Sequence, residues 1–297
     1  MASPKISKDR WLASLKQFLR EEPGMVTACL VILACIYYVS WGGLTLSRSS
    51  VSFGFIALGA KYIWDDRKNL SCAKDYPEER FIGYTLAALG STLFFFFHAS
   101  ASFQYLSFAL ALTGFALLLW GANFFVNHVL ACFLIAIGLY PNLIFVIGSL
   151  WRFATPPLIL ENFMGNLGGQ ALNVIGQSAI VEGRFISIGS GTVEVNTSCS
   201  GFEMAVSTAS VGLLMGLFFK QPWLKISLAV VLGIVMALAI NVPRIMLLAY
   251  IVGYYDKSVF DFWHGPWGGQ IFMAILFTPY YYLVMAFFED KKPSQKA

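Results

Sequence analysis

Apolar residues fill long stretches of this chain, and the polar positions between them fall in short clusters. A run of about twenty apolar residues is what carries a helix across the hydrocarbon core of a bilayer. On that rule the pattern predicts eight spans, at 25–44, 49–64, 81–98, 103–121, 124–148, 201–219, 225–242 and 268–288, the second being the shortest. The apolar segment 243–255 continues the seventh span, with Asn241 and Pro243 expected to break the helix and leave carbonyls needing partners. Ahead of the spans, "DRWLASLKQFLREE" within 1–22 reads as a basic amphipathic helix lying along the membrane surface. A polar tail begins at Glu289.

Two longer segments do not fit the span pattern, 149–200 and 243–267. In the first, "ENFMGNLGGQALNVIGQ" predicts a short interfacial helix, and "VEGRFISIGSGTVEV" alternates apolar and polar positions around Gly189-Ser190-Gly191. That alternation predicts a β-hairpin. The expected fold is an all-α membrane protein of about eight transmembrane helices, with a small outward-facing hairpin or cap before the sixth. It is read as a single polytopic domain over 1–297.

Composition agrees with the pattern. Hydrophobic residues make up 58% and charged residues only 12% of the chain, against roughly a quarter charged in soluble domains. There are too few charges to cover a water-facing globule. The net charge of +4 does not point to nucleic acid, because the basic residues flank spans and form no cluster on a folded face. The partner surface is the lipid bilayer. With the N-terminus in the cytoplasm, fifteen of the twenty Lys and Arg residues fall inside. Outside lie only Arg48, Arg152, Arg184, Arg244 and Lys257. This bias predicts a cell-membrane protein with both termini cytoplasmic. The five cysteines form no CxxC pair, so neither a disulfide framework nor a zinc site is expected, and no metal or cofactor is called for.

Chemistry concentrates near three residues. Cys199 lies in "VEVNTSCSGFEM", on the outer side at the start of the sixth span, whereas Cys29, Cys35 and Cys132 fall within spans and Cys72 in a charged cytoplasmic loop. An intramembrane cysteine is ordinarily a small hydrophobe. At a helix N-terminus beside water, the unpaired N–H groups and the helix dipole favour a thiolate. Ser200 and Glu203 fit the S-x-x-E capping box, so Glu203 either caps the helix or tunes the site by contacting an arginine or a histidine. Arg244 stands in apolar "AINVPRIMLLAY" near Asn241. It either snorkels to headgroups or holds negative charge developing on a carbonyl oxygen. His264 lies in "DFWHGPWGGQ", three residues after Asp261, which is positioned to orient or charge the ring. A histidine near a thiolate acts as the acid that protonates a leaving amine. His98 and His128 lack nearby acidic residues and read as packed or interfacial. Cys199, Arg244 and His264 all fall on one membrane face in a topology chosen from charge alone.

These residues carry a resemblance. "CSG" at Cys199–Gly201, "NVPRI" at Asn241–Ile245, and His264 before a glycine-containing last span resemble, in order, the three signature blocks of the exosortase/archaeosortase family. The resemblance covers 155–288, and the earlier spans match only as generic membrane helices. It implies an integral-membrane cysteine protease/transpeptidase, with Cys199 as nucleophile, Arg244 as stabilising arginine and His264 as general acid. Glu203, Asn241 and Asp261 would support them. It also implies membrane-tethered protein substrates carrying a C-terminal sorting signal, made of a motif, a transmembrane helix and a basic tail. One departure stands out: many bacterial members follow CSG with an apolar residue and an arginine, whereas Phe202 here is followed by Glu203. The alternative is a non-enzymatic membrane protein, a transporter or assembly partner, for which inverted repeats would be the sign; none is seen in the sequence. The hairpin at 180–196 either guides substrate along an exposed strand edge or simply caps the site.

Overall fold

The computed structural model describes residues 46–70, 77–96, 100–140 and 143–289. The expected surface helix in 1–22, the span at 25–44, Cys29, Cys35, Cys72, His98 and the tail beyond Glu289 lie outside the described residues. The chain divides into two compact units, one ending at Leu143 and one beginning at Ile144.

In the first unit, α1 (Leu46–Asp65) packs on α5 (Val129–Leu139), and α2 (Pro77–Phe96) packs on α3 (Ala101–Trp120). A short α4 (Ala122–Asn127) follows α3. Both helix pairs meet through small residues, because apolar side chains gain little by leaving lipid for one another and close backbone approach supplies the attraction. Gly90 of α2 lies against the backbone of Ala111, and Gly114 of α3 against that of Ala87, closer than any added Cβ would allow. Replacing Gly114 with leucine is therefore expected to destabilise the pair by about 1–3 kcal/mol. A lowered thermal midpoint in detergent would show it. Gly269→Leu, at a site where an added Cβ meets nothing within 4 Å, serves as the control. His128 is packed as expected, with its ring stacked on Phe124. It also has a partner the local sequence did not offer: Nε2 lies 3.0 Å from Asp66 Oδ2, while Nδ1 lies 3.1 Å from the Phe124 carbonyl.

The second unit runs α6 (Leu143–Ala154, entered at Ile144), α7 (Ile159–Val174), β1 (Ile180–Glu182), β2 (Phe185–Ile188), β3 (Gly191–Glu194), α8 (Phe202–Phe218), α9 (Trp223–Tyr254), α10 (Lys257–His264) and α11 (Pro266–Phe288). The expected hairpin is β2–β3, and β1 adds a third antiparallel strand in the order β1-β2-β3. Alternation does the packing. Ile186, Ile188, Val193 and Val195 face inward onto Ile245, Leu248 and Ala249 of α9, and Cys199 belongs to the same apolar core. Helices α8 and α9 form an antiparallel pair, and Tyr280 of α11 donates to the Ala229 carbonyl of α9 at 3.0 Å.

The span expectation is met in part. Among the described residues three helices are long and apolar enough to cross a bilayer, Ser102–Trp120 within α3, α9 and α11, or four if α5 and α6 count as one broken span. Helices α1 and α2 occupy the second and third expected positions, but Glu78, Glu79 and Arg80 sit in the first turn of α2. The fifth expected span is interrupted, as α4, α5 and α6. The sixth is the 17-residue α8. The expected break at Asn241 and Pro243 is absent, for α9 runs unbroken through Pro243 over 32 residues. Packing against the sheet, α8 and α11 holds the helix where the missing proline N–H would weaken it.

Candidate functional site

The residues leading into α8 form a turn organised by Asn196. Its side-chain Oδ1 accepts the Ser198 N–H at 3.1 Å, the Cys199 N–H at 3.1 Å and the Ser198 hydroxyl at 2.7 Å. Its backbone carbonyl accepts the N–H groups of Cys199 and Ser200 at 3.0 and 2.8 Å. Asparagine suits this place because its short amide mimics a backbone turn. The Thr197 hydroxyl donates to buried Glu161 of α7 at 2.9 Å, anchoring the turn from the other side.

The S-x-x-E capping box does not form. Ser200 turns its hydroxyl back to the Thr197 carbonyl at 2.9 Å, and the helix is entered through Gly201, in the left-handed region at φ 84°, with no side-chain cap. A Cβ on Gly201 would also press on the Asn241 side chain at 3.0 Å, so glycine is required there twice over. Glu203, in the first turn of α8, is left half-buried.

Asn241, fully buried on α9, donates its amide N–H to the Cys199 carbonyl at 2.8 Å, while its Oδ1 has no partner. Arg244 follows one turn later on the same helix face, only 8% exposed. Its Nη1 meets the Met204 sulfur at 3.9 Å, and its Nε has no partner. Among the described residues no carboxylate pairs with it, and its burial sets it apart from an arginine that reaches out to headgroups.

Cys199 is only 3% exposed, against the expectation of a thiol beside water. Burial pushes its thiol above the ordinary value of 9.0. Arg244 is the strongest opposing influence, followed by a hydrogen bond with Ser198, and Glu203 adds to the rise. Burial outweighs the lowering by Arg244 and Ser198, so the resting residue is a thiol. Alkylation by iodoacetamide is expected to be slow at neutral pH and to accelerate as pH rises beyond 9.0, where the thiolate becomes populated. Intact-mass measurement across a pH series, in a chain with the other cysteines replaced by alanine, checks it.

His264 ends α10, half-buried, with its ring stacked on Phe260 at a centroid distance of 5.1 Å. Asp261 is exposed and makes no hydrogen bond to that ring, so the expected orienting pair is not formed. The ring lines a groove of about 510 Å³ that it shares with β3, Asn196, Tyr255, Lys257 and Phe260. Phe260 and the adjacent Trp263 pack against the core that contains Cys199.

The unit thus ties Cys199 to Asn241 by a hydrogen bond and to Arg244 by charge, and it lines up His264 with Asn196 along one groove. Asn196 and Glu161 were missed in the sequence. The first was legible as an asparagine opening a Thr-Ser-Cys turn, but the second acts across 36 residues and leaves no local sign. A protein-family model described as transmembrane exosortase matches residues 41–281. No curated protein and no solved structure matches the chain.

Proposed function

Because the chain belongs to the transmembrane exosortase family, we propose that it is a cysteine protease/transpeptidase that cleaves the C-terminal sorting signals of exported proteins. The observation that supports this most directly is the buried guanidinium of Arg244, its Nε without a partner, beside the turn that carries Cys199.

In this reading the substrate is held in the plane by its own C-terminal helix, which raises its effective concentration at the site. The thiol proton of Cys199 passes to His264 as sulfur attacks the scissile carbonyl. Arg244 holds the oxyanion. The amide C–N bond breaks, His264 returns the proton to the departing amine, and the acyl group remains on sulfur as a thioester. A primary amine, or water, then attacks the thioester, forming the new amide or the free acid and restoring the thiol. Asn241 acts by positioning the Cys199 backbone, and Glu203 restrains thiolate formation until substrate arrives.

The proposed setting is the cell membrane, with eight spans, both termini cytoplasmic and the site on the outer face. Helix α9 has 32 residues, about 48 Å at 1.5 Å per residue, against a hydrocarbon core of about 30 Å. The surplus lies naturally at its C-terminal end, where the sheet packs and where Arg244 sits. A membrane-impermeant maleimide added to intact cells is therefore expected to label Lys257→Cys and to spare Lys220→Cys; the opposite result would invert the topology.

The chemistry is tested by trapping. Cells receive an exported reporter bearing a randomised eight-residue segment, a transmembrane helix and a basic tail. Denatured, affinity-purified enzyme is expected to carry an acyl adduct on Cys199 that neutral hydroxylamine releases. Reporters that are trimmed while no such adduct forms would rule out the thioester.

A further inference from the structure

Strand β3 is an edge of its sheet. Across the turn at Gly189 and Ser190 the register pairs Ile188 with Gly191 and Ile186 with Val193, and the Val195 N–H donates to the Arg184 carbonyl at 2.9 Å. Bonded and non-bonded couples alternate in an antiparallel pair. Gly191, Val193 and Val195 therefore aim their backbone groups at β2, and Thr192 and Glu194 aim theirs away from it, while the Asn196 carbonyl is taken by the Cys199 and Ser200 N–H groups. The equivalent groups of β2, at Phe185 and Ser187, meet β1. Among the described residues, those of Thr192 and Glu194 face no strand.

The side chains along this edge are already engaged. The Thr192 hydroxyl is 2.9 Å from that of Ser187, Glu194 pairs with Arg184 at 2.8 Å, and Asn196 holds the Cys199 turn. What remains is backbone, a row of donors and acceptors with a period of two. It borders the groove whose other wall carries Tyr255, Lys257, Phe260 and His264. From Glu194 the chain reaches Cys199 in five residues, less than about 18 Å even if extended.

A periodic row of free backbone groups beside a groove recognises one chemistry, an extended polypeptide that completes the ladder. We propose that the free edge of β3 is the substrate-docking subsite. An extended segment of the substrate adds as a fourth strand along Thr192–Glu194, fills the groove, and is delivered to Cys199 with His264 on the facing wall. The idea rests on Cys199 being the nucleophile. Backbone pairing supplies affinity without reading sequence, so selection falls to the side chains that project toward α10.

The test keeps the chemistry of Cys199 out of the readout. The full chain, with its five cysteines replaced by alanine and Lys257→Cys introduced, is joined by a disulfide to the peptide acetyl-Thr-Val-Thr-Val-Thr-cysteamine. Amide hydrogen exchange at Thr192 and Glu194 is expected to slow by about tenfold or more. A twin peptide N-methylated at alternate residues is expected to leave it unchanged. If Lys257→Cys does not fold, Tyr255→Cys on the same wall carries the tether. Unchanged exchange with the first peptide overturns the proposal. So does protection that is present without peptide and lost on dilution, since the edge would then join two copies of the chain. In the native-cysteine chain, Thr192→Pro deletes an outward N–H and spares the β2 ladder. It is expected to slow reporter trimming about tenfold or more, with the paired Val193 amide still protected. Normal trimming by Cys199→Ala would sink the nucleophile while leaving the exchange result standing.

Discussion

A Cys199→Ala chain is expected to leave tethered substrate uncut, a loss on the order of 10⁶ in turnover, judged from removal of a protease nucleophile. The fold should survive the change. The hydrogen bonds that shape this turn go to the backbone of Cys199, its N–H to Asn196 and its carbonyl to Asn241, so alanine keeps both. The thiol itself contributes packing in the core and a hydrogen bond with Ser198, and truncating it is expected to lower stability by roughly 1 kcal/mol. Cys199→Ser should be as inactive as alanine, because a hydroxyl is far harder to deprotonate than a thiol in the same burial. The measurement is reporter trimming in the membrane fraction, alongside a thermal midpoint in detergent. Normal trimming by the alanine chain would remove the thiol from the mechanism, and loss of the folded transition would reassign Cys199 to structure.

The parts of this site legible in the sequence are those that break a local pattern. An arginine inside "NVPRIMLLAY", a thiol between serines at the start of an apolar run, and a histidine in a Gly/Trp turn all stand out against their neighbours. Alternation likewise revealed β2 and β3, because one face of each is buried. Long-range contacts were not legible. Asn241 looked like a helix breaker, yet its amide serves Cys199, 42 residues earlier, and α9 continues past it. The capping box at Ser200 and Glu203 was a correct local match that lost to tertiary structure, since Asn196 and Asn241 fix the turn before the helix begins. Exposure of Cys199 was misjudged for the same reason: the sheet that covers it is assembled from residues that only the fold brings together. The interruption of the fifth span escaped because charge bias constrains the parity of spans but not the continuity of each helix.

Replacing Arg244 separates function from structure by the sign of its effect on stability. A buried arginine that holds the fold together has carboxylate or carbonyl partners, and removing it is destabilising. Among the described residues Arg244 has neither: its Nε has no partner, and its Nη1 donates to the Met204 sulfur. An ionised group so placed is held at a desolvation penalty of several kcal/mol. Arg244→Met, which fills similar volume without charge, is therefore expected to leave the thermal midpoint unchanged or to raise it. The same variant should slow trimming by about 10²–10³, the usual effect of losing one oxyanion donor. It also removes the strongest influence lowering the Cys199 pKa. Alkylation of Cys199 at a fixed pH below 9.0 should then fall further in the variant, which links the arginine to the thiol without any substrate present. Arg244→Lys restores the charge but not the planar fork or the Nε donor, so it should recover alkylation more than trimming. A chain that unfolds on Arg244→Met would make the guanidinium structural. One that trims normally would leave the oxyanion to another donor, and the nearest buried amide to consider is Asn241.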